Sequence, residues 1–355
     1  MTPVRRGPAV LVFALLVLTA AAFATIRWLE GYVQSPLPLD EPMIFVVAPG
    51  GTLTAVAREL HRRGVIAHPR IWVAHARVRG LADSIRAGEY ELRRGASPAS
   101  VLQQLVKGDV ILREITIVEG WTFRDMMRAI SEHPALEHSL ARANDAVIME
   151  SLGSAAVHPE GQFFPDTYRF AAGTSDAEIL RQAHEGLRTR LHAAWEARAP
   201  GLPLENEYQA LILASIVEKE SGLASERPRI AGVFIRRLRM GMRLQSDPTV
   251  IYGIGASYDG NIRERDLQTA TPYNTYARRG LPPTPIALPG EAALRAVTQP
   301  DDSGALFFVA TGQADGSHFF SATLAEHNAA VKRYLQRLRS RAATVKPVQA
   351  GADAR

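Results

Sequence analysis

Leu211-Ile-Leu-Ala-Ser-Ile-Val-Glu-Lys-Glu-Ser221 is the stretch from which the rest of this 355-residue chain is best read. A helix that is apolar almost all round is a buried helix. This one ends in two carboxylates, Glu218 and Glu220. A carboxylate at the end of a buried helix is partly stripped of water. Desolvation disfavours its charged form, so its pKa rises toward the range where it donates a proton at neutral pH. At about 100° per residue, positions two apart lie on nearly opposite faces. Glu220 therefore lies over Leu213, Ile216 and Val217. Glu218 lies over Leu211, Ala214 and Ser215, a smaller and more polar footing. Glu220 is the expected general acid, with Glu218 as the alternate or supporting carboxylate. The competing reading is an exposed Glu-Lys-Glu helix end with no chemistry, and the flanking sequence must decide.

Downstream, Ile230, Val233, Phe234 and Leu238 recur at helical spacing and predict a second amphipathic helix over about 226–239. A long irregular segment follows, with Gln245-Ser-Asp247-Pro, Tyr273-Asn274-Thr275-Tyr276 and Gly280-Leu-Pro-Pro-Thr-Pro-Ile-Ala-Leu-Pro-Gly290. Segments of this length inside a compact domain are usually functional. Asp247-Pro248 reads as a turn-former. Helix 292–297, strand 306–309, a short run at His318 and a helix over 324–341 complete the chain.

Upstream, three units repeat one local pattern of strand, Gly turn, Ser or Thr cap and amphipathic helix. They start at Ile44-Phe-Val-Val47, Tyr90-Glu-Leu92 and Ile115-Thr-Ile-Val118. Their uneven spacing excludes a solenoid. Between them and the glutamate helix, His158-Pro-Glu160-Gly-Gln-Phe-Phe-Pro-Asp166-Thr-Tyr168 does not suit a helix interior. Its aromatics either plug the core or form a wall for a sugar ring. The predicted fold class is α+β.

Composition is ordinarily globular, with 46% hydrophobic and 22% charged residues. No cysteine is present, which excludes disulfide scaffolds, thiol nucleophiles and Cys-based zinc sites. The ten histidines show no metal-ligand spacing, and neither metal nor other cofactor is expected. The +5 formal charge suits an anionic polymer or envelope surface, but no nucleic-acid motif accompanies it. Residues 8–26 are uncharged and largely apolar, and at ~1.5 Å each they nearly span a bilayer core. Arg5 and Arg6 precede them, so the N-terminus is expected inside and the rest outside. Ala22-Phe23-Ala24 leaves a cleaved signal peptide open as the alternative. The prolines around Pro36–Pro42 predict an extended linker of about twelve residues, with a reach near ~40 Å.

Several motifs together resemble one family. They are Val118-Glu-Gly-Trp-Thr122, Glu160-Gly-Gln-Phe-Phe-Pro-Asp-Thr-Tyr168, Ala214-Ser-Ile-Val-Glu-Lys-Glu-Ser221 and the run 225–253. The series continues with Tyr273-Asn-Thr-Tyr276, residues 280–290 and His318-Phe-Phe-Ser-Ala-Thr-Leu-Ala-Glu-His-Asn328. In this order, behind an N-terminal anchor, they resemble the YceG-like membrane-bound endolytic murein transglycosylases over about residues 9–340. The resemblance implies cleavage of peptidoglycan glycan strands between MurNAc and GlcNAc without water, leaving a 1,6-anhydro-MurNAc end. It implies Glu220 as the catalytic residue, without a cofactor.

The Pro49-Gly-Gly-Thr-Leu53 turn also resembles the LysM sugar-binding module. The expected organisation is a cytoplasmic N-terminus (1–8), an anchor (9–27), a linker (28–42) and a LysM-like module (43–110). A catalytic domain (111–341) and a disordered tail (342–355) follow. Gln245, Asp247, Tyr273, Asn274, Thr275, His318 and Glu160 are the expected substrate-binding residues.

Two other readings remain at this level. One is a muramidase that pairs Glu220 with Asp247 or Glu160, since hydrolysis ordinarily uses two carboxylates. The other is a non-catalytic glycan-binding scaffold of the wall-synthesis machinery. Expected partners are glycan strands, the cytoplasmic (inner) membrane through a single N-terminal span, and peptidoglycan synthases. The catalytic domain would then be periplasmic, and no nucleic acid is involved.

Overall fold

The computed structural model describes residues 7–344 apart from Ala141 and Ser221. Most of the expected tail therefore lies outside the described residues, although the last helix runs on to Thr344. The chain forms two compact units of mixed α/β structure. One comprises the chain up to Arg113 with Arg169–Thr174, and the other comprises Glu114–Tyr168 and everything from Ser175.

The first unit begins with the helix Gly7–Gln34. Its Leu11–Gln34 portion contains an 18-residue window of mean hydropathy 2.0 and is long and apolar enough to cross a membrane. The expected linker over 28–42 is corrected here. No proline stands between Arg27 and Pro36, and the helix runs through Gly31 to end seven residues past Arg27. Trp28 stacks on Tyr32, and both rings meet His68. Val33 and Leu37 are buried, and the Leu37 N–H donates to the Ala96 carbonyl at 2.7 Å. Apolar burial and backbone pairing thus fix a segment whose prolines suggested a free tether.

Strand Met43–Val47, helices Leu53–Arg62 and Pro69–Val78, and strand Gly88–Leu92 form a βααβ unit. The strands pair antiparallel with Phe45 opposite Tyr90. Alternation turns Phe45, Val47, Tyr90 and Leu92 inward onto Leu60, Trp72 and Leu102. The Trp72 indole N–H and the Tyr90 hydroxyl are both satisfied by backbone carbonyls, those of Pro98 and Arg86. Thr52 and Ser97 cap the helices that follow them, as their positions predict.

The second unit is built around the helix Glu207–Glu220, in which every residue from Ala210 to Glu218 is buried. It packs against helices Asp176–Glu196, Arg227–Arg239, Asp247–Ile254 and Glu291–Thr298. Each buried Leu or Ile contributes about 1.5–3 kcal/mol, so this mostly apolar segment is the anchor of the unit. The proline-rich stretch 281–290 is a buried strap laid along it rather than an open loop. Ile286 N–H donates to the Ser215 hydroxyl, and Leu288 pairs with Trp121 and Gly120.

Phe163 and Phe164 are buried in the core, which selects the plug over the sugar-facing wall as the reading of the aromatic stretch. One further expectation, the turn at Asp247-Pro248, is corrected. Asp247-Pro248 opens a helix, with Ser246 at its N-cap and the proline in its first turn, where a missing N–H is harmless. The hairpin Phe307–Ala310 with His318–Ser321 and the helix Leu324–Thr344 close the unit.

Candidate active site

Glu220 sits at the end of its buried helix and is itself only partly buried. The Ser246 hydroxyl donates to Glu220 Oε1 at 2.5 Å. Burial pushes the carboxyl up to about 7, and the nearby Asp247 charge adds to the rise. The Ser246 hydrogen bond and the Arg237 guanidinium oppose it. The group is therefore a mixture of acid and conjugate base near neutral pH, the condition for a residue that both gives and takes a proton.

Glu218, two residues earlier, has a different fate. Its Oε1 accepts from Arg227 Nη2 at 2.6 Å and its Oε2 from the Gly290 N–H at 3.0 Å. Both side chains of this ion pair are almost sealed from solvent. A Cβ at Gly290 would meet only the Glu119 carboxylate, the end of a half-exposed side chain that can move aside. Arg227 also reaches Glu119 at 3.5 Å, and Lys219 Nζ donates to the Gly120 carbonyl at 3.0 Å. Glu218 thus fastens the helix end to the 118–122 loop and the 281–290 strap.

The expected binding residues divide. Gln245, Asp247 and Thr275 gather around Ser246 beside Glu220. Gln245 is exposed with φ of 51°, in the region that residues other than glycine rarely adopt. Asp247 is exposed, and its Oδ1 accepts from the Tyr276 hydroxyl at 2.6 Å. Thr275 is buried and its hydroxyl accepts from the Ser246 N–H, so it supports the site from behind.

The others are committed elsewhere. Asn274 is buried, its amide donates to the carbonyls of Asp266, Leu267 and Thr269, and its Oδ1 accepts from Tyr276 and Ala277. That side chain braces its loop and offers no free group to a ligand. The Tyr273 hydroxyl bonds Thr284, and its ring meets Tyr252 edge-on. His318 lies against Glu226, with Nδ1 and Oε2 at 2.7 Å, and its N–H also goes to that carboxylate. Glu160 is buried, with Oε1 taken by the Phe123 N–H and Oε2 by the Tyr252 hydroxyl. A carboxylate so enclosed cannot activate water, which removes Glu160 as the second carboxylate of a hydrolase. Burial nonetheless pushes it up to about 7.

Sequence reasoning passed over Ser246, Arg237 and Tyr276 as individual residues. Ser246 directly before Asp-Pro was a helix N-cap signal, which the turn reading of Asp247-Pro248 hid. Arg237 looked like one of a scattered basic cluster, yet it is buried, with its guanidinium on the carbonyls of Leu244 and Leu306.

The model of the YceG-like family matches residues 45–333. A Bacillus subtilis (strain 168) protein named "Endolytic murein transglycosylase" is 29% identical over 308 residues, covering 81% of this chain and 83% of its own length. A protein of the same name from Streptococcus pneumoniae (strain D39) is 26% identical over 339 residues; the match covers 85% of this chain but 61% of that protein. The crystal structure of a YceG-like protein from Listeria monocytogenes aligns with a TM-score of 0.49 at 26% identity, covering 81% of this chain and 99% of that one.

Proposed function

From the premise that the chain belongs to the YceG-like family, we propose that it is an endolytic peptidoglycan lytic transglycosylase with Glu220 as its single acid–base. The observation that carries this reading is a carboxyl held near neutral pKa at the partly open end of a buried helix. The names of the Bacillus and Streptococcus relatives support the substrate class.

The chemistry needs one carboxyl used twice. Protonated Glu220 gives its proton to the glycosidic oxygen as the MurNAc C1–O bond breaks, releasing GlcNAc with a free hydroxyl. The resulting Glu220 carboxylate takes the proton of the MurNAc C6 hydroxyl, whose oxygen bonds to C1. Atoms balance without water. Asp247, anchored by Tyr276 and exposed beside Glu220, is placed to stabilise positive charge at C1.

Asp247 also gives the hydrolytic alternative its one foothold, since it is the exposed carboxylate next to the acid. Product mass separates the two. Incubating the full chain in detergent with nascent glycan should yield ends lighter by one water than reducing ends. Reducing ends alone would establish hydrolysis.

The N-terminal helix is proposed as a retained single span with its start inside and both units outside. The βααβ unit is proposed as a LysM-like module that aligns a strand. Its docking onto the helix end through Val33 and Leu37 leaves no slack for a long tether. The module is thus held closer to the membrane than a free linker would hold it. This favours cutting strands as synthases extrude them.

A further inference from the structure

We propose that Ser246 is the positioning residue of the Glu220 acid: its hydroxyl pins Oε1 and leaves Oε2 as the oxygen that gives and takes the proton. The inference rests on the reading of Glu220 as the acid–base and adds to it which oxygen acts and what holds it.

Four independent observations converge on this serine. It is 1% exposed, and its hydroxyl lies 2.5 Å from Glu220 Oε1. It occupies the N-cap of the helix Asp247–Ile254, where a serine side chain normally accepts from a first-turn N–H. No such side-chain bond is made here. The hydroxyl is withdrawn from its own helix and turned to the glutamate.

Its backbone is held on both sides. The Ser246 N–H donates to Thr275 Oγ1 at 3.0 Å, and its carbonyl accepts from Thr249 Oγ1 at 2.6 Å. The two threonine hydroxyls are 2.9 Å apart and buried, which closes the ring. Finally, the residue before it, Gln245, is kept at φ of 51° with its N–H on the Thr275 carbonyl. A backbone held in a sparsely populated region is a recurrent mark of positioning at reactive sites.

The consequence follows from carboxyl chemistry. When Glu220 is protonated, Oε1 is the carbonyl oxygen that accepts from Ser246, and the proton resides on Oε2. When Glu220 is ionised, the same hydrogen bond stabilises the charge. Both proton transfers then use one oxygen, and the carboxyl need not rotate between them. Asp247, Arg237 and Tyr276 also face this carboxyl, with Asp247 favouring its neutral form and Arg237 its ionised form. None of these three bonds Oε1 among the described residues.

The test uses the full chain in detergent with glycan strands and the variants S246A, S246T and E220Q. S246A deletes no helix cap bond, so its fold should persist. It should lower kcat about tenfold to a hundredfold with KM nearly unchanged. Loss of the donor should move the falling alkaline limb of kcat/KM up by about one pH unit. S246T restores the hydroxyl and should return both values toward wild type. Should the extra methyl of S246T prevent folding, the Glu220 carboxyl is titrated by carbon NMR in S246A instead, and an upward shift is expected. An S246A enzyme with an unmoved limb and an unmoved carboxyl titration would overturn the proposal, whether its rate is full or uniformly reduced. If E220Q is inactive while S246A behaves as wild type, only the serine assignment falls. An active E220Q overturns both.

Discussion

Glu160 and Glu220 are both pushed up to about 7 by burial, yet their surroundings are opposite in kind. Glu160 is 3% exposed, and its two oxygens are occupied by the Phe123 N–H and the Tyr252 hydroxyl. It caps the start of the helix Phe123–Glu132 and joins it to the Asp247–Ile254 helix that carries Tyr252. Glu220 is partly open, and its carboxylate's partner among the described residues is Ser246, on Oε1 alone. A raised pKa therefore does not identify an acid catalyst by itself. Access and an uncommitted oxygen set Glu220 apart from Glu160. Glu218 adds a third case: burial raises it as well, but Arg227 and Gly290 consume both oxygens in structure.

The largest effect that separates these pockets is on turnover. Glu220→Gln should lower kcat by about 10²–10⁴ while circular dichroism stays native. Glu160→Gln, which keeps an acceptor for the Phe123 N–H and turns an amide N–H donor toward the Tyr252 hydroxyl oxygen, should remain within a few-fold of wild type. Equal losses in both would erase the distinction.

The next effect is on stability. Glu218→Leu leaves buried Arg227 only its longer contact with Glu119, and breaking such a buried pair costs about 3–5 kcal/mol. Chemical denaturation should show this fall while Glu220→Gln shows none. A Glu218→Leu protein of native stability would mean that the ion pair fastens nothing.

A smaller effect depends on pH. Glu160 rises from 4.5 in the free chain to about 7 in the fold, so the fold binds its proton more tightly. Its contribution to stability is fully present below pH 4.5 and is lost as pH rises through about 7. Glu160→Gln should therefore stabilise the protein above pH 8 by up to about 3 kcal/mol and leave it unchanged near pH 4. A gain of the same size at both pH values would point to packing instead.

Smallest is Asn274→Ala, which strands three loop carbonyls and should lower stability by about 1–3 kcal/mol. KM should change little, because no group of Asn274 is free for substrate.

The sequence showed most clearly what depends on periodicity. The buried helix before Glu220, the capped helices at Thr52, Ser97 and Thr122, and the inward alternation at Phe45 and Tyr90 all follow from local spacing. The apolar setting of Glu220 was legible because its footing, Leu213, Ile216 and Val217, lies within two helical turns. What escaped needed contacts between distant residues. Nothing near Asn274 in sequence reveals that its amide spans the carbonyls of its own loop. Glu160 looked like a site acid because its partners, Phe123 and Tyr252, lie 37 and 92 residues away. The supposed linker was misread for the same reason, since the first helix packs on the helix Pro98–Lys107 and Leu37 joins the core that this helix shares.

The pH dependence of kcat/KM in Glu160→Gln tests the central claim most directly. If Glu220 is the acid and Glu160 a sealed structural carboxyl, the falling limb near pH 7 persists unchanged in this variant. If that limb disappears or moves with Glu160 gone, the titration that controls catalysis is not that of Glu220, and the account is contradicted.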